Sequence, residues 1–175
     1  LEDPGFGLQN GWYEDGSKWK TFNQFFSRHL KGPDVRPITE PDNNSIVVSF
    51  ADSEPQGVWA IDSASNLRSD DGVPVKSATL RSVSALIGEG SAYQDAFAGG
   101  TFTHSFLNVN DYHRYHFPVS GVVKEVRIIQ GSQPIGGKLR WDNENNRYAY
   151  DPSAKTGWQV LETRGCVIIE TQDYG

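Results

Sequence analysis

The hydrophobic residues of this chain fall in short runs, and one N-terminal segment shows helical spacing. Thr21 is followed three residues later by Gln24, the spacing of a helix capping box. From Thr21 onwards, apolar side chains recur at helical intervals, at Phe22, Phe25, Phe26 and Leu30. The pattern predicts a short helix that begins after Thr21 and packs these side chains against a core.

Most of the other apolar runs are β-branched or aromatic, which favours strands. The residues 45–50 and 101–109 each predict a strand, and 119–129 predicts a strand pair. The segment 54–81 carries hairpin signals, including a turn at Asp71-Gly72, and 82–87 fits one or two helical turns.

The segment 132–157 is polar and rich in Asn, Asp, Gly and Pro, which predicts a long loop of the kind that often carries function. No internal repeat interrupts the chain. We therefore expect a strand-dominated α+β fold with mixed or antiparallel sheets and a short N-terminal helix, forming a single domain over residues 1–175.

Composition and charge limit the classes of function that we expect for this chain. The net charge is −6 and no cluster of Lys and Arg stands out, which argues against nucleic-acid binding. No apolar stretch approaches the roughly 18 residues of a membrane-spanning helix, so we expect a soluble, cytoplasmic chain, with peripheral membrane association left open. The chain begins with Leu1 and contains no Met, so we expect it to be cut from a longer polypeptide.

The candidate chemistry centres on histidine. His104, His113 and His116 lie within thirteen positions. A histidine of near-neutral pKa, held by a carboxylate, can both take and return a proton, and Asp52 at a predicted strand end is a candidate for that carboxylate. Two other interpretations stay open: the three histidines could bind zinc or serve only the structure, and Asp52 could be an ordinary turn residue.

Four sequence stretches resemble a known family. They are T-F-N-Q-F-F-S-R-H-L at 21–30, R-P-I at 36–38, S-F-A-D at 49–52 and F-L-N-V-N-D-Y-H-R-Y-H-F-P-V-S-G at 106–121. Together they resemble the phosphatidylserine decarboxylase family, whose D-Y-H-R-x-H-x-P-x-x-G signature the last stretch matches. The resemblance covers 20–131 and resumes weakly at 160–175.

The resemblance implies an amino-acid α-decarboxylase that uses a covalent pyruvoyl group. In such a protein Asp52 would orient His116, and His116 would deprotonate a serine so that the precursor cleaves itself. His113 would lie nearer the substrate. We assign His104, Tyr112 and Trp141 as substrate-binding candidates, and we assign no metal ligand.

Two departures from the family pattern stand out. Ser53 replaces the Gly that follows the Asp in many relatives, which the backbone should tolerate. The Gly-Ser pair at which relatives cleave has no counterpart in these 175 residues. The resemblance therefore implies that this is the β-chain portion, that the fold is incomplete without the C-terminal segment, and that a pyruvoyl-bearing α chain from the same precursor is its partner.

Several functions remain as alternatives. Phosphatidylserine is the family's default substrate, a free aromatic amino acid such as tryptophan is the close alternative, and a catalytically silent fragment or binding module is the second. Zinc hydrolysis rests only on the three clustered histidines. The sequence leaves open whether protomers assemble into an oligomer.

Overall fold

The computed structural model describes residues 3–68, 73–75, 78–80, 82–131, 138–151 and 163–175. Short 3-10 turns lie at Pro4–Phe6, Leu8–Asn10, Gly16–Lys18 and Pro33–Val35. The helices are α1 (Phe22–Phe26) and α2 (Val83–Ile87). The strands are β1 (Glu54–Ala60), β2 (Val73–Val75), β3 (Ala78–Leu80), β4 (Thr101–Phe106), β5 (Val122–Ile129), β6 (Lys138–Asp142), β7 (Arg147–Asp151) and β8 (Arg164–Glu170).

These strands pair two by two, as β1 with β4, β2 with β3, β5 with β8 and β6 with β7. The β2–β3 and β6–β7 pairs are antiparallel. The strand-dominated α+β prediction is confirmed for the described residues. No helix among them is long and apolar enough to cross a membrane.

The chain divides into two compact units. The first contains Leu1–Gly57, His104–Val122 and Glu170–Gly175, and the second contains Val58–Thr103 and Val123–Ile169. The assignment of 1–175 to one domain stays a prediction.

Helix α1 forms where the capping box predicts it. The Thr21 hydroxyl accepts a hydrogen bond from the Gln24 backbone N–H at 3.3 Å, and the Gln24 side-chain oxygen accepts from the Thr21 N–H at 3.1 Å. Phe25 is buried, but Phe22 is 69% exposed, so its predicted core position is wrong. With only five residues α1 turns one narrow face inward, and Phe22 instead stacks on Phe26 with ring centroids 5.5 Å apart.

The predicted strand at 45–50 is absent. Two backbone hydrogen bonds link this segment to the end of the histidine motif: Val48 N–H to Pro118 O at 2.9 Å and His116 N–H to Phe50 O at 2.8 Å. Pro118 has no N–H to return the first bond, so a regular ladder cannot continue there. The segments run side by side without becoming a strand pair.

The core of the second unit forms around Ile61, Leu67, Val83 and Ile87. Helix α2 confirms the helical turn predicted at 82–87, with the Ser82 hydroxyl accepting from the Ala85 N–H at 3.2 Å. The region 119–129 contains one strand, β5, where a pair was predicted.

The long loop predicted at 132–157 is wrong for residues 138–151, where β6 and β7 form a hairpin. Leu139 and Trp141 oppose Tyr150 and Tyr148 across the pair. Asp142 organises the turn by accepting from the Glu144 N–H at 3.0 Å. In the sequence, large apolar residues alternate with other residues along both segments. This alternation favours strands in spite of the polar composition of the region. The remaining loop positions and the predicted Asp71-Gly72 turn lie outside the described residues.

Candidate active site

The histidine motif begins in a tight turn that follows β4. The Asp111 carboxylate accepts from the Asn108 N–H at 2.8 Å, and the Asp111 N–H donates to Asn108 O at 3.1 Å. An Asp side chain that bonds a nearby backbone group stabilises such a turn locally. The turn fixes the backbone from which His113 and His116 project.

Arg28 anchors this turn from the end of α1. Its side chain is 1% exposed and donates to the backbone oxygens of Asp111 at 3.0 Å and Asn110 at 3.3 Å. The guanidinium also lies 4.5 Å from the ring centre of Tyr13 and 5.0 Å from that of Phe25. A planar cation with several donors can satisfy buried carbonyls and stack on aromatic faces together, so it ties the turn to the core of the first unit.

Arg114, inside the motif, binds the other side of the same helix end. Its Nε–H donates to Ser27 O at 2.8 Å and to Arg28 O at 3.2 Å. Its terminal nitrogen lies 2.6 Å from His29 Nε2, which must accept because a guanidinium only donates. The carbonyls that directly follow α1 thereby gain partners from the motif.

His113 is held firmly and half-buried. Its ring stacks on Phe26 with centroids 3.8 Å apart, and its Nε2 lies 2.8 Å from Asn108 O. A carbonyl only accepts, so Nε2 carries the hydrogen. Burial lowers the pKa of His113 below its ordinary value, although the bond to Asn108 and the charge of Asp111 partly offset this. His113 is therefore a neutral, fixed imidazole at neutral pH, and its predicted place near the substrate stays a prediction.

His116 presents a more accessible imidazole. Its residue is exposed, and its ring stacks on Tyr112 with centroids 5.6 Å apart. Tyr112 is buried and stacks in turn on Tyr13 at 6.0 Å. Burial raises the pKa of the Tyr112 phenol; the charge of Arg114 opposes this effect, and that of Asp52 adds to it.

The charge of Asp52 acts on the Tyr112 phenol. Its carboxylate is bound by a residue for which the sequence suggested no role. The Arg36 guanidinium donates to the Asp52 carboxylate. In the described part of the chain the hydrogen-bond partner of this carboxylate is thus Arg36, while the His116 backbone N–H is bonded to Phe50, two residues before Asp52. The structure brings Asp52, Arg36, Tyr112 and His116 together, and the direct orientation of His116 by Asp52 stays a prediction.

The two remaining substrate-binding candidates lie on strands. His104 is half-buried on β4, and its neighbour Ser105 accepts from the Ser53 hydroxyl at 2.8 Å. Successive strand residues point to opposite faces, so His104 points away from Ser53. Trp141 is on β6 in the second unit and is 43% exposed. Their roles as substrate-binding residues stay predictions.

The clustered histidines do not form a metal centre in the part of the chain that the structure describes. No three or more His, Cys, Asp or Glu side chains there are placed to hold a metal ion. His113 and His116 instead contact Phe26 and Tyr112.

Three arginines make contacts in this site that the sequence did not predict. They are Arg28, Arg36 and Arg114. Each lies inside a stretch that resembles the family, and that position was the available signal. An arginine in a motif does not by itself reveal whether its partner is a carboxylate, a backbone carbonyl or an aromatic ring.

Comparisons with known proteins agree with these motifs. A family model described as phosphatidylserine decarboxylase matches residues 22–175. A phosphatidylserine decarboxylase proenzyme of Alcanivorax borkumensis is 33% identical over 127 residues, covering 73% of this chain and 40% of that relative. Phosphatidylserine decarboxylase proenzyme 3 of Schizosaccharomyces pombe is 39% identical over 113 residues, covering 65% of this chain and 11% of that relative.

A third relative, the phosphatidylserine decarboxylase proenzyme of Salmonella arizonae, is 31% identical over 135 residues, covering 77% of this chain and 39% of the relative. The chain thus spans 40% or less of the length of these three proteins.

Proposed function

The chain belongs to the phosphatidylserine decarboxylase family, and from this we propose that it is the β-chain portion of a pyruvoyl-dependent decarboxylase made from a self-cleaving precursor. The names of its relatives carry both phosphatidylserine and proenzyme. We therefore propose phosphatidylserine as the substrate and a pyruvoyl-bearing chain of the same precursor as the partner. Because that substrate is a membrane lipid, the proposal includes peripheral contact with a membrane from the cytoplasm.

The observation that best supports this proposal is the backbone contact between the S-F-A-D stretch and the histidine motif. The His116 N–H bonds to Phe50 O at 2.8 Å, which brings the backbone of the S-F-A-D stretch beside the histidine motif. Self-cleavage at a serine needs a base that takes the hydroxyl proton, and an exposed imidazole near a carboxylate is suited to that task. We assign His116 as the base and Asp52 as its positioning residue, with Arg36 holding the Asp52 carboxylate.

The cluster also suits the later chemistry. A pyruvoyl group supplies a ketone carbonyl that takes up the electrons released as carbon dioxide leaves. The residues of this chain would bind and orient the substrate and return a proton. His116 can deliver a proton. Tyr112 is also protonated at neutral pH, and burial raises its pKa further above the ordinary value of a phenol. Arg36 adds a positive charge beside them.

Neither the relatives named above nor the described residues favour a free aromatic amino acid as the substrate. The pairing of Trp141 with Tyr148 on β6 and β7 places two aromatic residues opposite each other, but nothing connects them with a substrate.

The test is self-cleavage of the full-length precursor. Asp52→Asn and His116→Gln should each leave the precursor uncut, or slow its cleavage by about a hundredfold or more, the range expected when a general base is lost. Asp42→Asn, at an exposed turn, is the matched control and should cleave normally. Mass spectrometry would follow the two chains and the reaction of the new blocked N-terminus with hydroxylamine.

Normal cleavage of both Asp52→Asn and His116→Gln would refute their assigned roles. A wild-type precursor that neither cleaves nor releases carbon dioxide from phosphatidylserine would refute the proposed function itself.

A further inference from the structure

The β5–β8 sheet has one face that is covered by α2. Arg127 donates from this face to the backbone oxygens of Ile87 at 3.4 Å and Glu89 at 2.6 Å. Arg164 donates to Leu86 O at 2.7 Å and Ala85 O at 3.1 Å. The two arginines bind the carbonyl end of α2, where cations are favoured.

Apolar contacts complete this inner face. Ile168 is buried, and Cys166 packs against the core cluster of the second unit. A Cβ on Gly88, directly after α2, would lie 3.4 Å from Ile129 and 3.6 Å from the Arg164 guanidinium. The inner face is therefore closely packed, and side chains at alternate positions must lie on the opposite face.

The opposite face is exposed and carries apolar side chains beside Lys124. Val126 is 68% exposed and Ile128 is 73% exposed on β5, and Val167 is 50% exposed on β8. The two strands run antiparallel, because Gly131 N–H bonds to the Thr163 hydroxyl at 3.1 Å at one end while Gly121 lies against Glu170 O at the other. We call Val126, Ile128 and Val167 the outer face of β5–β8.

A two-stranded sheet has unpaired edges on both sides and is marginally stable without further strands or a covering layer. A contiguous group of exposed apolar side chains is a candidate interaction site.

We propose that the outer face of β5–β8 is the docking surface for the polypeptide of the precursor that lies outside these 175 residues, which covers Val126, Ile128 and Val167. This inference rests on the proposed function, and it adds the surface by which the two parts of the precursor hold together. The Alcanivorax borkumensis proenzyme is longer than this chain, which spans only 40% of it. The corresponding additional polypeptide is the occupant that we propose.

The size of the face favours this occupant over a second copy of the chain. A stable interface between separate proteins buries about 800 Å² on each partner, more than three aliphatic side chains provide. A segment of the same precursor is tethered, so it docks without the full loss of translational and rotational freedom that separate molecules incur.

The test is chemical labelling at the outer face in a Cys166→Ala background, which removes the native thiol. Ile128→Cys places a thiol on the outer face, and Ser63→Cys places one at an exposed turn of the same unit. Each would be treated with a maleimide in the 175-residue chain and in the full-length precursor. We expect labelling at position 128 to slow by on the order of tenfold or more in the precursor, and labelling at 63 to change little.

Equal labelling rates at position 128 in the two proteins would overturn the proposal. So would slow labelling in the 175-residue chain that depends on protein concentration, because that result would make a second copy the occupant. Hydrogen exchange of the unsubstituted proteins provides an independent measurement, with added protection expected at 122–129 and 164–170 in the precursor.

The unsubstituted precursor separates the two proposals. If it cleaves itself and decarboxylates phosphatidylserine while the thiol introduced by Ile128→Cys stays fully reactive, only the docking surface is wrong. If position 128 is protected in a precursor that neither cleaves nor decarboxylates, the docking surface stands and the proposed function fails.

Discussion

The guanidinium of Arg36 donates a hydrogen bond to the carboxylate of Asp52, the residue that we propose positions His116. The same guanidinium lies 5.0 Å from the ring centre of Trp12. Burial by itself lowers the pKa of Arg36, but the hydrogen bond to Asp52 and its charge more than offset this and raise it. A permanent cation thus holds the carboxylate in place.

We expect Arg36→Gln to slow self-cleavage clearly while lowering the free energy of unfolding only slightly. Both side chains are about one-third exposed, so solvent screens the pair and we expect a loss of about 1 kcal/mol in the free energy of unfolding. Urea unfolding of Arg36→Gln, Asp52→Asn and the double variant would give the coupling energy. Self-cleavage of the precursor should slow in Arg36→Gln, and Arg36→Lys should restore part of the rate. A zero coupling energy would contradict the pairing.

Arg28→Met should destabilise the first unit strongly. The substitution keeps much of the stem but leaves the carbonyls of Asn110 and Asp111 without their buried donor, at a cost of about 2–4 kcal/mol. Urea unfolding measures the loss, and hydrogen exchange at 108–113 should increase. Arg68→Met, at an exposed arginine, is the control and should change stability by less than about 0.5 kcal/mol. Unchanged exchange at 108–113 would show that Arg28 does not anchor the turn.

His113 should make the stability of the chain depend on pH. Its pKa lies below the ordinary value of 6.5 when folded, so the unfolded chain binds more protons between the two values. Its contribution is fully present above about pH 6.5 and is lost as the pH falls through the lowered folded pKa. Urea unfolding across this window should show stability rising with pH.

His113→Gln should flatten that part of the profile, whereas His116→Gln, at the exposed ring, serves as the comparison. A profile that keeps its full slope in His113→Gln would assign the pH dependence to another group.

Gly121→Ala should lower the free energy of unfolding although it adds only one methyl group. A Cβ at Gly121 would lie 2.6 Å from the Glu170 backbone oxygen, closer than carbon and oxygen can approach. Relief requires a backbone shift, with an expected loss of about 1–3 kcal/mol. Gly165→Ala is the matched control on β8, since a Cβ there meets no atom within 4 Å. Thermal unfolding of both variants would test this, and equal melting temperatures would contradict it.

Structural features that depend only on neighbouring residues could be predicted from the sequence. The Thr21 and Gln24 capping box and the helical turn after Ser82 formed where the sequence placed them, because their partners lie within three residues. The predictions that failed involve competition between local signals and distant partners. Pro118 lacks the N–H that a regular ladder beside Val48 would need, so the segment 45–50 forms no strand there. The β6–β7 hairpin forms in a segment whose polar composition favoured a loop.

The sequence by itself determined the strand-rich character of this protein, its short helix, and the family motif that contains Asp52, His113 and His116. Tertiary structure decided what those residues touch. Arg28 reaches Asn110 across 82 positions, and Arg114 reaches His29 across 85. No local pattern encodes such contacts, because an arginine can bind any carbonyl, ring or carboxylate that folding brings near. Tertiary structure therefore also decided which imidazole is half-buried, which is exposed, and which face of the β5–β8 sheet is exposed.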